Sequence, residues 1–247
     1  MYDRWVVSTW GRTGSMVIGE KLYNFIADIR HGPIEWKHHE RTGGYFIPVP
    51  WTLTHSHSLE QLDYVDDINT GVVYAIRNPS DAGLSMFISY SLTAWHIHTE
   101  KSLNEKRDRL SDPRFKDKWQ TYKRELREND RWKNAKPIHV NITELDDYRD
   151  QCITWNNIAA TKLKSINRPI VIANYDEWSR DLVKLSKILN IPYKDVELSV
   201  LPNLRPMLKQ IENYDEVMNW KRLNSYEDEE FIEDWSKLPT NFSNTCP

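Results

Sequence analysis

Short hydrophobic runs alternate with amphipathic segments along much of this chain. Residues 2–9 are rich in β-branched and aromatic side chains, and residues 71–76 are almost entirely apolar. A further run within residues 168–178 ends in a polar turn, and an amphipathic segment follows it over residues 182–189. Continuous apolar runs of this length indicate buried parallel strands, and segments of helical period indicate helices. The pattern predicts an α/β fold with a central, mostly parallel sheet and helices on both faces.

The turn after the first run is a candidate anion site. Residues 11–15, Gly-Arg-Thr-Gly-Ser, connect the predicted strand to a helix that begins near Met16. A glycine turn at a helix N-terminus leaves backbone N–H groups unpaired, and these groups and the helix dipole favour a bound phosphate. An ordinary turn between a strand and a helix has the same pattern. The loop therefore needs a second motif before it identifies a phosphate site.

The same loop has the glycine spacing of a Walker A motif but lacks its lysine. Gly14 and Gly19 are five residues apart, and Glu20 stands where the lysine that reaches the β- and γ-phosphates belongs. This difference disfavours a nucleotide-hydrolysing or kinase site with a loop-bound magnesium ion. Arg12, Thr13 and Ser15 instead suit a phosphate that is held without a metal.

A second motif follows the run at residues 71–76. It reads Arg-Asn-Pro-Ser-Asp-Ala-Gly-Leu-Ser and begins at Arg77. Pro79 cannot continue a strand and suits the start of a helix, so Arg77 lies at a strand end and Ser85 lies two turns into the next helix. In doubly wound sheets, ligands bind at the carboxyl ends of the strands, so Arg77 is expected at the same edge as residues 11–15.

The two motifs together resemble those of sulfotransferases that use 3′-phosphoadenosine 5′-phosphosulfate (PAPS). In that family a basic loop after the first strand holds the 5′-phosphosulfate, and an R-N-P-x-D-x-x-x-S motif holds the 3′-phosphate. The resemblance implies a P-loop NTPase-like fold. It assigns the 3′-phosphate to Arg77 and Ser85. It assigns the 5′-phosphosulfate to the first loop, namely Arg12, Thr13, Gly14, Ser15 and Met16. Met16 departs from the family, which often has a hydroxyl residue there.

Two histidines between these motifs are candidates for the general base. Residues 50–60 alternate like a short strand, and His55 and His57 lie near its end, facing the same side. A histidine pair can also bind a metal or lie on the surface, but a zinc site needs further ligands. The segment resembles the family's Lys-Thr-His motif, which favours His57 as the base. An ungapped count from the arginine motif favours His55, so both remain candidates.

Sulfuryl transfer would give each of these residues a function. Negative charge builds on the leaving phosphate oxygen, and Arg12 with the loop N–H groups would stabilise it. A neutral imidazole, with an unperturbed pKa of about 6.5, can take the proton that the acceptor loses. That is the expected function of His57, with His55 assisting or contacting the sulfonate.

The run within residues 168–178 carries a third resemblance. Its strand ends in Tyr175-Asp176-Glu177, and the helix that follows is closed by Asn190-Ile191-Pro192. The family has a strand that ends in Tyr-Glu-Asp, and its tyrosine lies near the adenine. Tyr175 is therefore a candidate for the nucleotide pocket. A strand-end tyrosine that packs on the sheet is the alternative.

Composition agrees with one domain over residues 1–247. The 247-residue chain is 39% hydrophobic and has 11 tryptophans, which excludes a disordered composition. Charged residues interrupt the beginning of the sequence, so we expect no signal peptide, and no apolar run reaches the ~20 residues that cross a bilayer. Cys152 and Cys246 are widely separated and give no disulfide framework. These features predict a cytoplasmic protein that does not bind membranes.

Charge is unevenly distributed under the net charge of −3. Residues 101–136 hold 13 basic and 7 acidic side chains, and aromatic residues are interleaved with them. We interpret residues 96–137 as a basic helical insertion, which is either a lid over the acceptor or a solvated hairpin. Residues 203–247 are expected to form a helical tail, with residues 227–234 as a solvated acidic face. The sequence pI of about 6.3 argues against nucleic-acid binding.

The resemblance implies a PAPS-dependent sulfotransferase of the carbohydrate or an uncharacterised type, because the family's Arg-Lys-Gly motif is missing. It would transfer a sulfuryl group to a hydroxyl or amine of a small molecule or glycan. The product would be 3′,5′-bisphosphoadenosine, and no metal is expected. One alternative is a nucleoside or small-molecule kinase. Another is a non-catalytic nucleotide- or sugar-binding protein of the same fold.

Overall fold

The computed structural model describes residues 2–39, 49–65, 69–88, 137–166, 170–194 and 211–238. Five strands form one sheet: β1 (Arg4–Thr9), β2 (Glu35–His39), β3 (Thr52–Ser56), β4 (Thr70–Ile76) and β5 (Ile170–Asn174). Their order in the sheet is β2-β3-β1-β4-β5, and every pairing is parallel. The predicted α/β fold with a parallel sheet is confirmed. Because β1 lies at the centre, the loop that follows it lies between the ends of β3 and β4.

Helices connect these strands and cover the sheet. α1 is Ser15–Arg30, and a 3₁₀ helix spans Leu59–Tyr64. Residues 79–88 are helical and are called α2. The later helices are α3 (Ile142–Ser165), α4 (Tyr175–Trp178), α5 (Leu182–Ile188) and α6 (Tyr214–Ser236). Polar caps fix several helix starts. The Asn141 side chain, for example, accepts a hydrogen bond from the Thr143 N–H at α3.

Alternate residues of the central strands pack on opposite faces of the sheet. On one face, Val7 and Val73 contact a core formed with α1, α4 and α5. On the other face, Val6 and Val72 belong to a core that also contains residues of α3 and α6. Strands that are buried on both faces need apolar side chains at nearly every position, which explains their continuous hydrophobic runs. The result is three layers, helix on sheet on helix.

The acidic segment at residues 227–234 corrects one expectation. It lies within α6, but Asp228 is only 1% exposed and Phe231 is also buried. The interpretation as a solvated face is wrong at these positions, because this side of α6 packs against α3 and the sheet. The proposed insertion at 96–137 lies outside the described residues except for its last position, and Cys246 also lies outside them. Within the described ranges, no helix combines the length and the apolar character that crossing a membrane requires.

Candidate functional site

The loop between β1 and α1, residues 11–15, forms a tight turn that we call the cradle loop. Gly11, Arg12 and Gly14 have φ values of 143°, 56° and 76°, a region that L side chains rarely adopt. A Cβ atom on Gly14 would lie 2.5 Å from Tyr175 Cδ2 and 2.7 Å from Trp178 Cη2, so only glycine fits there. No side chain caps the start of α1. The Val17 and Ile18 N–H groups donate to the Gly14 carbonyl. The first two N–H groups of α1, at Ser15 and Met16, are then the ones that have no acceptor within the helix and can bind an anion.

Threonine side chains anchor the cradle loop to the sheet. The Thr9 hydroxyl donates a hydrogen bond to the Ala75 carbonyl over 3.0 Å, and it is also bonded to the Thr13 hydroxyl. Because the single Thr9 proton goes to Ala75, Thr13 is the donor in the second bond. Thr13 is only 1% exposed. Its side chain therefore anchors the cradle loop to Thr9.

The two arginines of the motifs meet at the carboxyl edge of the sheet. Arg12 Nε donates to Ser85 Oγ over 3.1 Å, and Arg77 Nη1 donates to the Arg12 carbonyl over 3.1 Å. These contacts join residues that are 73 and 65 positions apart in sequence. The structure thus brings together the first loop and the second motif, as the strand order requires. Met16 is half-buried in the first turn of α1.

Arg77 also lies over the Tyr175 ring, with 4.4 Å between the guanidinium carbon and the ring centroid. Burial raises the pKa of the Tyr175 phenol, although the nearby Arg77 acts in the opposite direction. Tyr175 is thus a neutral aromatic ring at physiological pH. The Arg77 Nε atom is buried and has no hydrogen-bond partner among the described residues. Burying such a donor without an acceptor costs free energy, so this atom is suited to an acceptor from a ligand.

Neighbouring polar groups fix the segment between β4 and α2. Asn78 Oδ1 accepts a hydrogen bond from the Asp81 N–H and caps α2. The Asn78 N–H itself donates to Asp176 Oδ2 over 2.9 Å. Asp176 follows β5 and so ties the end of that strand to the end of β4. These bonds position Arg77, which immediately precedes Asn78.

A second polar cluster supports α2 from the C-terminal helix. Its members are Arg149 on α3 and Lys221 and Asp228 on α6, and we call them the C-terminal brace. Arg149 contacts Asp228 at 3.3 Å, and Lys221 forms an ion pair with Asp81. The Asp228 carboxylate also lies close to Ser80, the second residue of α2. Burial raises the pKa of Asp228, while Ser80 and Arg149 act in the opposite direction.

The two histidines occupy different environments. His55 lies in β3 opposite Val7 of β1 and is fully buried. Its Nε2 atom is 2.8 Å from Ser15 Oγ at the start of α1. His57 follows the strand and is half-buried, with Nδ1 3.4 Å from the Thr9 carbonyl. The two rings meet edge to face, with centroids 4.8 Å apart. Both histidines therefore adjoin the cradle loop, and His57 is the more exposed of the two.

Sequence reasoning missed three residues of this site. Thr9 anchors the cradle loop to Ala75, Asp176 accepts a hydrogen bond from the Asn78 N–H, and the Trp178 ring packs against Gly14. Trp178 stands near Tyr175 in sequence, and a tryptophan that directly follows a strand-end motif could have indicated it. No local signal marks Thr9, and the strand-end motif that includes Asp176 does not reveal its contact with Asn78, because both partners are distant in sequence.

Other groups in the described residues add no metal centre. The described part of the chain holds no cluster of three or more His, Cys, Asp or Glu side chains suited to a metal ion. A cavity of about 330 Å³ lies at the start of α3, where His139, Asn141 and Glu216 line it. None of the cradle-loop residues contributes to that cavity.

Comparison with known proteins does not add a family to these observations. No protein-family model matches the chain, and no curated protein matches it. The arrangement of the cradle loop, Arg77, Ser85, Tyr175 and the two histidines is therefore the basis on which a function is inferred.

Proposed function

We propose that this chain is a sulfotransferase that uses PAPS and has a P-loop-type fold. The observation that carries the proposal is the convergence of Arg12, Arg77 and Ser85 beside the cradle loop. Two cations, a hydroxyl and unpaired helix N–H groups form a site for more than one anionic group. The strand order with β1 at the centre supports the fold assignment, because the cradle loop then lies where the strand order reverses.

The residues present fit the nucleotide. The buried Arg77 Nε lacks a hydrogen-bond partner among the described residues and can donate to a phosphate oxygen. The Tyr175 ring, which lies 4.4 Å from the Arg77 guanidinium carbon, is the aromatic side chain that we assign to the adenine. Glu20 in place of the Walker lysine disfavours a site for the β- and γ-phosphates of ATP. When bound, PAPS would supply the sulfuryl group that is transferred.

Stabilisation of the leaving group falls to the cradle loop. The N–H groups at the start of α1 and the Arg12 side chain are the groups that would bind the phosphate on which negative charge develops. Because Thr9 and Thr13 fix the loop, these donors need little reorganisation when the charge appears. No metal is required for this function, since the fixed positive groups supply the compensating charge.

His57 is the residue we assign as general base. Its Nδ1 faces a carbonyl oxygen, which only accepts hydrogen bonds, so Nδ1 carries the proton in that contact. In the neutral ring Nε2 is then the basic nitrogen and can take the proton from the acceptor hydroxyl or amine. The fully buried His55 is less suited, because an acceptor molecule must reach the base.

The proposal is tested by ligand-induced stabilisation. We expect 3′,5′-bisphosphoadenosine to raise the melting temperature well above any effect of AMP or of ATP with magnesium. Arg77→Ala should remove most of that increase, because it deletes the charge-assisted contact to the 3′-phosphate. The matched control is Arg30→Ala, which removes the same charge from the exposed far end of α1. Equal or greater stabilisation by magnesium ATP would overturn the proposal in favour of a kinase.

A further inference from the structure

The buried histidine, His55, contacts Ser15 in the cradle loop, and this contact indicates what His55 does. The His55 ring is fully buried, and its Nε2 atom lies 2.8 Å from the hydroxyl of Ser15. Ser15 is itself only 4% exposed and is the first residue of α1. His55 therefore contacts the cradle loop from the sheet, through a residue that the proposed function assigns to the 5′-phosphosulfate.

The number of protons available to these two residues restricts how they interact when an anion is bound. A serine hydroxyl has one proton, and a phosphate or sulfonate oxygen only accepts hydrogen bonds. When Ser15 contacts the anion, its proton is given to that contact. The remaining bond to His55 is then retained only if His55 Nε2–H donates to Ser15 Oγ. An unprotonated Nε2 would compete with the anion for the same serine proton.

We propose that His55 is a positioning residue, held as the Nε2–H tautomer, which directs the Ser15 proton toward the bound 5′-phosphosulfate. This inference rests on the proposed function and gives His55 a function different from that of His57. His57 has Nδ1 toward the Thr9 carbonyl and so takes the opposite tautomer. The two rings, whose centroids are 4.8 Å apart, thus have different functions. His55 orients Ser15 of the cradle loop, and His57 accepts the proton.

A double-mutant cycle on ligand affinity tests this function. We would measure the dissociation constant of 3′,5′-bisphosphoadenosine calorimetrically for the unsubstituted protein, Ser15→Ala, His55→Gln, His55→Asn and Ser15→Ala combined with His55→Asn. Glutamine places an N–H donor near the position of Nε2, whereas asparagine is one carbon shorter and does not reach Ser15. We expect His55→Gln to keep most of the affinity and His55→Asn to lose about tenfold, as for a lost hydrogen bond to a charged group.

The cycle distinguishes positioning from general support of the fold. If His55 acts through Ser15, the double variant binds no more weakly than Ser15→Ala alone. Additive losses, or equal losses in the glutamine and asparagine variants, would overturn the assignment of His55 while leaving the proposed function intact. Failure of the unsubstituted protein to bind the bisphosphate would instead overturn the proposed function.

A spectroscopic measurement on the unsubstituted protein does not depend on how the variants fold. Nitrogen-15 spectra of the histidine side chains distinguish the two neutral tautomers. In the presence of saturating bisphosphate we expect the His55 signal to show the Nε2–H form and the His57 signal to show the Nδ1–H form. An Nδ1–H form at His55 in the complex would contradict the proposal, because Nε2 could not then donate to Ser15.

Discussion

Arg77 beside the cradle loop and Arg149 in the C-terminal brace are the same residue type in contrasting environments. The Arg149 side chain is 6% exposed and contacts the carboxylates of Glu227 and Asp228 at 2.6 Å and 3.3 Å. Arg77 contacts a backbone carbonyl and an aromatic ring, and its buried Nε has no hydrogen-bond partner among the described residues. The guanidinium of Arg149 is thus bonded to carboxylates of the protein, whereas the guanidinium of Arg77 has an N–H donor that no described residue accepts from. That difference separates an arginine that stabilises the fold from one that is suited to bind a ligand.

The largest effect is expected on the rate of sulfuryl transfer when His57, beside the cradle loop, is replaced. Removing a general base typically lowers the rate by ~10²–10⁴ and leaves ligand binding almost unchanged. We therefore expect His57→Ala to lose transfer from labelled PAPS, screened over glycan, phenol, steroid and peptide acceptors, while it still binds 3′,5′-bisphosphoadenosine. Near-normal activity in a variant lacking both His55 and His57 would remove histidine from the mechanism. Lost bisphosphate binding in His57→Ala would show that this residue is structural.

Replacing the arginine of each region by methionine tests whether the two arginines differ in their contribution to stability. Arg149→Met leaves Asp228 buried without its ion-pair partner, and breaking such a pair costs about 3–5 kcal/mol of unfolding free energy. Arg77→Met removes one partly buried hydrogen bond and should cost only about 1 kcal/mol. Urea denaturation of both variants measures the difference. Comparable losses of stability would show that Arg77 is as much a part of the scaffold as Arg149.

A smaller effect is expected in the pH dependence of stability. Because burial raises the pKa of Asp228, the folded protein binds a proton there at pH values where the unfolded chain has already released it. The contribution of this group to stability is therefore present at low pH and declines as the pH rises through the raised pKa. Urea denaturation at several pH values above 4 should show a shallower decline for Asp228→Asn than for the unsubstituted protein. An identical pH dependence in the two proteins would contradict this account of Asp228.

Local patterns in the sequence were sufficient for four of the five strands, whereas β2 was not predicted. Continuous apolar runs identified β1, β4 and β5, and Pro79 marked the start of α2, because these signals depend only on neighbouring residues. The environments of His55 and His57 could not be predicted in this way. They depend on the register of β3 against β1, which pairs Val7 with His55 and brings Ser15 within reach.

The C-terminal brace could not be predicted for a related reason. Arg149 and Asp228 are 79 residues apart, and each lies in a helix that is rich in polar and charged residues. An acidic helix is ordinarily solvated, so the expectation for residues 227–234 followed the common case. Only the packing of α6 against α3 shows that one of these carboxylates is buried beside an arginine.

A crystal structure of the protein with 3′,5′-bisphosphoadenosine would test the central claim most directly. We expect an oxygen of the 3′-phosphate to lie about 2.7–2.9 Å from Arg77 Nε, the length of a charge-assisted hydrogen bond. We also expect the 5′-phosphate to contact the N–H groups at the start of α1. A bisphosphate bound away from the cradle loop, or one that leaves Arg77 Nε without a phosphate oxygen, would contradict the claim that this site binds the sulfuryl donor.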